Sequence, residues 1–216
     1  MTSYLSNLYL KCLGGIFAIA FISYYVQYPA LSSRSGIDPS ENIFRQTYPS
    51  LYASIIEKRY CDADSFVELM NVLGVIISVV IASGTLHHGL LFVGVTCLYR
   101  FLVVLGSSMY TFQWDILLIE AGFLSGVCFA PWRTLTLRNE QEVGAWPIRF
   151  LLFKLMFMSG VVKIQANCTT WNNLTALEFH FATQCLPGPL AWYAHQLHPF
   201  LLCLGVAATF VIDQQD

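Results

Sequence analysis

The sequence predicts an all-α fold, a polytopic integral membrane helix bundle with about five full transmembrane helices and one incomplete helix. The 216 residues are 56% hydrophobic and only 11% charged, and the mean hydropathy is +0.58. A soluble domain carries roughly twice that charged fraction. Two long stretches, residues 12–33 and 69–99, contain no charged side chain. About 20 apolar residues cross the ~30 Å hydrocarbon core of a bilayer, so each stretch is long enough to span a membrane.

The first transmembrane helix is predicted over residues 8–28. Lys11 precedes the apolar stretch, as a basic residue does in a secretory signal peptide, but the stretch is longer than the apolar region of such a peptide. The small residues of Ala18-Ile19-Ala20 lie inside the stretch instead of after it. We therefore expect an uncleaved anchor. Residues 29–65 are mixed and polar, and they are predicted to form a connection with one short surface helix.

The second uncharged stretch is too long for one helix. Ser83-Gly84-Thr85 interrupts it, and glycine and serine are typical of turns, so two helices joined by a tight turn are predicted. In the next apolar segment, Gly122 and Gly126 have the spacing that lets a second helix approach closely. The helices after the first are predicted over residues 66–86, 89–111, 112–130, 148–164 and, as the incomplete one, 190–212.

The arginines between the fourth and fifth helices indicate the orientation. Arg133, Arg138 and Arg149 lie in one short connection, and basic residues are enriched in cytoplasmic loops. The N-terminus is then cytoplasmic, and the connections 29–65 and 165–189 are lumenal. Four basic residues of the first lumenal connection disagree with this orientation: Arg34, Arg45, Lys58 and Arg59.

The second lumenal connection contains two glycosylation sequons, which support the orientation. They are Asn167-Cys168-Thr169 and Asn173-Leu174-Thr175. Asn167 lies so close to the fifth helix that Asn173 is the better candidate acceptor. Cys168 and Cys185 also lie in this connection and could form a disulfide in an oxidising lumen. The odd total of seven cysteines leaves at least one thiol free, so the bonded and unbonded states both remain open.

Five charged residues fall inside predicted helices: Arg100, Asp115, Glu120, Lys154 and Lys163. Each costs about 2.5–3.5 kcal/mol at the bilayer centre, so each should face the bundle and find a partner. At a rise of about 1.5 Å per residue, Arg100 lies about 16 Å, Glu120 about 12 Å and Lys154 about 15 Å below the lumenal ends of their helices. We expect a buried cluster of Arg100, Glu120 and Lys154, and a pair of Asp115 with Lys163 near the lumenal rim. These charges either hold the helices together or line a polar cavity that binds or transforms a ligand.

No catalytic, cofactor-binding or metal-ligating residue is predicted. The sequence contains no nucleophile-elbow motif, no phosphate-binding loop and no dinucleotide fingerprint. His195 and His198 are followed by Pro199, and no carboxylate is spaced as in the H-E-x-x-H motif. A net charge of −2 gives no indication of nucleic acid as a partner. The lipid bilayer is the partner that the composition indicates.

Five segments resemble the lipase maturation factor family. They are residues 112–115 (FQWD), 118–124 (LIEAGFL), 153–163 (FKLMFMSGVVK), 171–177 (WNNLTAL) and 183–187 (TQCLP). The resemblance implies a multi-pass protein of the endoplasmic reticulum membrane that helps client lipases, such as lipoprotein lipase, to fold and assemble. It implies a folding factor without a cofactor, not an enzyme. It also implies that this chain holds the N-terminal membrane part and lacks the large C-terminal lumenal domain of the family.

An enzymatic alternative stays open, because the family is distantly similar to the membrane part of vitamin K-dependent γ-glutamyl carboxylase. In that alternative, Lys154 or Lys163 acts as a base in a membrane enzyme. A transporter ranks third, because the sequence shows neither a clear internal repeat nor a helix broken in mid-membrane.

Overall fold

The computed structural model describes residues 2–58, 60–86, 88–106, 109–129, 138–183 and 188–214. Every regular element within these residues is helical, so the predicted all-α class is confirmed. The chain divides into two compact units, Met1–Ile148 and Arg149–Asp216. Cys185 and Arg133 lie outside the described residues.

The first unit contains α1 (Thr2–Leu31), α2 (Ser40–Thr47), α3 (Pro49–Tyr52), α4 (Ala63–Ser83), α5 (Gly89–Leu105) and α6 (Gln113–Leu124). Two π-helical turns, Ala53–Glu57 and Ser125–Phe129, continue α3 and α6. Helix α7 (Arg138–Gln165) runs across the boundary between the units. The second unit then contains α8 (Thr169–Asn172), α9 (Ala176–Thr183), α10 (Ala191–His195) and α11 (Pro199–Gln214).

In the described part of the chain, three helical segments are long and apolar enough to cross a bilayer. They are Tyr4–Leu31, Ala63–Ser83 and Ala145–Gln165. Gly89–Leu105 and Pro199–Val211 are apolar but shorter. The polytopic membrane class is therefore confirmed, while the number of about five full helices and one incomplete helix stays a prediction.

Two helix boundaries differ from the predicted ones for reasons of local packing. The helix predicted over 89–111 ends at Leu105, because the ring of Tyr110 packs onto Gly106, where any side chain would collide with it. The run predicted as one helix over 190–212 is divided before Pro199, which has no amide hydrogen to continue a helix. The Nδ1 atom of His198 instead accepts a hydrogen bond from the Phe200 amide at 3.2 Å and begins α11.

The predicted connections contain more helix than expected, and the first one is well packed. Phe44 of α2 is buried, and its ring centroid lies 5.6 Å from that of Phe66 and 5.7 Å from that of Phe101. Polar residues dominate the composition of α2, and Asn42, Arg45 and Gln46 are exposed, which is why the segment resembles a surface loop. Residues 32–58 therefore form a cap on α4 and α5.

Helix α1 presents a buried aromatic face to α4 and α5. Phe17, Phe21, Tyr24 and Tyr28 recur every three or four residues and are almost wholly buried. The ring of Tyr99 on α5 lies edge-on to Phe17 and Phe21, with centroid distances of 5.9 and 5.3 Å. Each edge-to-face pair contributes roughly 0.5–1.5 kcal/mol beyond its buried area. This face packs α1 onto α4 and α5, while its opposite face, with Ile19 and Val26, is exposed.

Two buried polar side chains bind the backbones of neighbouring helices. With its amide nitrogen towards α1, Asn71 donates to the Phe21 carbonyl at 2.9 Å and accepts from the Tyr25 amide at 3.2 Å. The Tyr24 hydroxyl donates to the Leu102 carbonyl at 3.0 Å. Hydrogen bonds between membrane helices contribute on average about 0.6 kcal/mol. They fix the register of α1 against α4 and α5.

The close approach predicted at Gly122 and Gly126 is confirmed. A Cβ atom on Gly122 would collide with the hydroxyl of Thr96 on α5. A Cβ atom on Gly126 would lie 3.0 Å from both the Phe92 Cβ and the Val93 amide nitrogen. Helix α5 therefore packs directly on the backbone of α6 and of the π-helical turn that follows it.

In the second unit, α9 packs against α10 and α11. Val206 of α11 is fully buried, and Gly205 beside it lets the Leu177 side chain approach the helix. The Trp171 ring of α8 lies edge-on to Phe210 of α11, with 5.9 Å between centroids. The described part of the second predicted connection is thus largely helical and packs on the last apolar helix.

The variant Gly122→Ala is expected to lower the free energy of unfolding by about 1–3 kcal/mol, because the added methyl group overpacks the contact between α5 and α6. Thermal unfolding of the purified protein in detergent, followed by circular dichroism, measures the effect. Gly94→Ala on α5 is the matched control, because its Cβ would meet open space. Alanine favours helix over glycine, so this control should be neutral or slightly stabilising. Equal losses in both variants would contradict the close packing.

Candidate functional site

Asp115 is a buried carboxylate in the first turn of α6, only 7% exposed. Its Oδ1 accepts a hydrogen bond of 2.6 Å from the Tyr99 hydroxyl on α5. Its Oδ2 accepts from the Phe112 amide at 3.3 Å, an interaction that stabilises a helix N-terminus. Two neutral donors thus hold the carboxylate between α5 and the start of α6.

A cavity of about 470 Å³ lies beside this carboxylate. Residues of α1, of α6, of the segment that joins α5 to α6, and Tyr99 of α5 line it. We call it the Asp115 groove and define it by Ile16, Ile19, Tyr110, Trp114, Asp115 and Leu118. Its volume lies in the range of about 300–1,000 Å³ that is typical of small-molecule sites. It is therefore the candidate binding site of the first unit.

A separate polar cluster joins the cap to α1 and α4. The Tyr28 hydroxyl donates to Asp64 Oδ1 at 2.8 Å, and the Arg34 amide donates to both Asp64 oxygens at 3.3 Å. The Arg34 guanidinium pairs with Glu41 at 3.1 Å. Glu41 also accepts from the Tyr52 hydroxyl at 2.8 Å, and this bond raises the pKa of Tyr52. These bonds tie the cap to the helices, which is a structural role.

The three residues of the predicted buried cluster are divided between the two units. Arg100 on α5 and Glu120 on α6 belong to the first unit, and Lys154 on α7 belongs to the second. Arg100 and Lys154 are exposed, and Glu120 is half-buried. Their association into one cluster stays a prediction.

The predicted rim pair also joins residues of different units, so it stays a prediction. Within the second unit, the Lys163 ammonium lies 5.1 Å from the centroid of the Trp171 ring, a cation–π contact. Within the first unit, Asp115 is bound by Tyr99. Each charge therefore has a partner inside its own unit.

The two sequons differ in their local structure. Asn167 has a positive φ of 45° at the end of α7, and its Oδ1 accepts from Asn172 Nδ2 at 3.1 Å. Asn173 is exposed just after α8. The Cys168 sulfur lies 3.0 Å from the Thr170 hydroxyl, and this hydrogen bond lowers the pKa of the thiol. Because Cys185 lies outside the described residues, the disulfide stays a prediction.

Sequence reasoning missed the tyrosines around Asp115. Tyr99, Tyr24 and Tyr110 lie in apolar surroundings, where a tyrosine resembles any other aromatic residue. The sequence did contain an indication of the contact between Tyr99 and Asp115, because these residues lie on either side of the short connection between the adjacent helices α5 and α6. Among the described residues, no group of three or more His, Cys, Asp or Glu side chains is placed to hold a metal ion.

The fold and the apolar helices define a multi-pass membrane protein built from helices. The chain belongs to the lipase maturation factor family, because the model of the lipase maturation factor transmembrane domain matches residues 4–215. The resemblance found in the five sequence segments is thereby confirmed.

The relatives agree with this assignment. Lipase maturation factor 2 of Gallus gallus is 38% identical over 222 residues, which cover 96% of this chain and 31% of the relative. Lipase maturation factor 2 of Homo sapiens is 35% identical, over 96% of this chain and 32% of the relative. Lipase maturation factor 1 of Homo sapiens is 33% identical, over 63% of this chain and 24% of the relative. The chain thus spans about a third of the length of these curated relatives. No solved structure matches, and nothing in these comparisons supports the carboxylase-like alternative.

The variant Tyr99→Phe is expected to lower the free energy of unfolding by about 1–3 kcal/mol, because it leaves a buried carboxylate oxygen without its donor. Unfolding in detergent measures the loss. Tyr110→Phe is the matched control, because the Tyr110 hydroxyl is buried without a hydrogen-bond partner among the described residues. Its removal should leave stability unchanged or higher. If both variants unfold at the wild-type temperature, the Tyr99–Asp115 bond does not stabilise the unit.

Proposed function

We propose that this chain is the membrane part of an endoplasmic reticulum maturation factor that assists the folding, assembly and export of secreted lipases such as lipoprotein lipase. The family match over residues 4–215 carries the proposal, because the relatives in that family are named for lipase maturation. The chain acts by binding and not by catalysis. Its partners are the bilayer and client lipases in the lumen, and its N-terminus is cytoplasmic.

Exposed apolar side chains in the second unit support a role in binding. Phe179 on α9 is exposed, as are Leu190, Trp192 and Tyr193 around α10. In the proposed orientation residues 165–189 are lumenal, and α10 lies directly between them and the apolar helix α11. Partly folded proteins expose apolar surface, and exposed apolar patches mark sites of protein–protein interaction. The segment therefore offers a surface for a client that has not yet buried its own core.

The proposal predicts that secreted lipase activity falls when the gene is silenced, including any longer form of the protein. Re-expression of the wild-type chain should restore the activity of co-expressed lipoprotein lipase, and the lipase should co-purify with the chain. The double variant Trp192→Ser and Tyr193→Ser should lose most of this co-purification, because the exposed apolar surface is gone.

Two controls make this result specific. Trp146→Ser changes an equally exposed tryptophan on α7 and should retain the lipase. Lys154→Met and Lys163→Met should also retain function, because a factor that acts by binding needs no lysine base. Unchanged lipase activity after silencing, with secretion of an unrelated reporter as reference, would overturn the proposal.

The orientation predicts N-glycosylation at Asn173. The wild-type chain, expressed in cells, should migrate faster in gel electrophoresis after treatment with a glycosidase. Asn173→Gln should abolish this shift, whereas Asn167→Gln should keep it, since Asn167 adjoins α7 and its side chain is engaged by Asn172. A shift that survives Asn173→Gln, or no shift in the wild type, would contradict the lumenal placement of this segment.

A further inference from the structure

His198 occupies the position immediately before α11. The Nδ1 atom of its ring accepts the amide hydrogen of Phe200 at 3.2 Å, and its backbone carbonyl accepts from the amides of Leu201 and Leu202. Pro199 follows at the first position of the helix, where its missing amide hydrogen carries no cost. The first amides of a helix have no partner within the helix, so the ring of His198 acts as an N-cap.

Histidine differs from the usual N-cap residues because its ring gains a proton near neutral pH. A neutral imidazole has one nitrogen that donates and one that accepts, whereas both nitrogens donate in the protonated ring. The bond from the Phe200 amide therefore exists only while His198 is neutral. Histidine changes its charge between about pH 5 and 8. The cap is complete at the upper end of this range and is lost as the pH falls, and the positive charge then also opposes the positive end of the helix dipole.

The side chain of His198 is exposed, and the Phe200 amide is its hydrogen-bond partner. The titratable side chains on the neighbouring helices of this unit are Glu178 and His180 on α9, Tyr193 and His195 on α10, and Asp213 at the other end of α11. Helix α8, which meets α11 at Phe210, carries none. Within the described residues, none of these side chains forms a hydrogen bond or an ion pair with His198. The bond to the Phe200 amide is therefore the contact that protonation of His198 breaks.

This cap adjoins the exposed apolar surface to which lipase clients are proposed to bind. Only two residues separate His198 from the end of α10, the helix that carries Trp192 and Tyr193. A single helical turn is not stable alone, so the position of α10 depends on its packing against α9 and on the helix that follows it. The side chains of Leu197 and Phe200, on either side of the cap in the sequence, are also exposed. The cap therefore lies within the apolar segment that it helps to position.

We propose that His198 makes client binding by the second unit dependent on pH. While His198 is neutral, its ring caps α11 and holds the start of this helix, and α10 before it, in the arrangement that presents Trp192 and Tyr193. When His198 is protonated, the first turn of α11 loses its cap, the apolar surface loses its fixed arrangement, and the client is released. A lipase is thus bound at neutral pH and freed in a more acidic compartment. This inference rests on the proposed function, because it concerns the surface proposed to bind the client.

Two measurements separate the cap from the binding that it controls. Amide hydrogen exchange of the purified 216-residue chain in detergent, corrected for the intrinsic effect of pH, reports on the first turn of α11 without any client. Protection of the amides of Phe200, Leu201 and Leu202 should fall about fivefold between about pH 7 and about pH 5.5, the change that corresponds to the loss of an N-cap. Co-purification of lipoprotein lipase with the chain should fall over the same interval.

Three variants assign the effect to the cap. His198→Asn keeps an N-cap whose side chain does not titrate, so protection and client binding should both become independent of pH. His198→Ala removes the cap, so its exchange and binding at neutral pH should resemble those of the wild type at acid pH. His195→Asn is the matched control and should keep the wild-type pH dependence, because this exposed side chain of α10 makes no hydrogen bond or ion pair among the described residues. If His198→Ala does not fold, His198→Asn still decides the question.

The possible failures are distinguishable. If pH dependence persists in His198→Asn, or disappears in His195→Asn, another group titrates and the inference is wrong. Exchange and binding that do not change with pH in the wild type would overturn it as well. Failure of the lipase to co-purify at neutral pH would instead contradict the proposed function, and with it the release of a client, while the exchange data would still show whether His198 caps α11.

Discussion

A bilayer interior has no water to hydrogen-bond buried polar groups, and the architecture of the first unit depends on this constraint. Each polar side chain described on the inner faces of α1, α4 and α5 is used to join helices or to bond a helix backbone. Asn71 bonds the backbone of α1, and Tyr24 bonds the backbone of α5. Tyr99 binds the Asp115 carboxylate at the start of α6. Because lipid is as apolar as the helix surfaces, these bonds and the close packing at Gly122 select one arrangement among many apolar ones.

Much of this fold could be predicted from the sequence, because absence of charge and spacing of small residues are strong signals in a membrane protein. The uncharged stretches located α1, α4 and α5, and the Gly122–Gly126 spacing identified the face on which α5 packs. The cap was harder to predict, because α2 buries one large side chain, Phe44, among polar neighbours. The break before Pro199 was visible in the sequence, but apolar composition alone merged the two helices around it.

The candidate site could be predicted only in part, for a reason that lies in the side chains. Asp115 was recognised because a charge in an apolar helix is conspicuous, and charge counting then suggested another charge as its partner. The partner within the first unit is the hydroxyl of Tyr99, which no charge pattern reveals. Likewise, Lys163 meets the face of Trp171 in the second unit. Each of these contacts stabilises a single charged side chain, whereas a fully buried ion pair requires the desolvation of two.

This choice of partners has a consequence for the packing of the unit. The oxygens of Asp115 accept from a hydroxyl on α5 and from an amide at the start of α6, so the side chain joins these two elements without a second charged residue. Tyr99 serves two purposes in this arrangement: its hydroxyl fixes the position of Asp115, and its ring lies edge-on to Phe17 and Phe21 of α1. One tyrosine therefore couples the position of the buried carboxylate to the packing of α1 on α5.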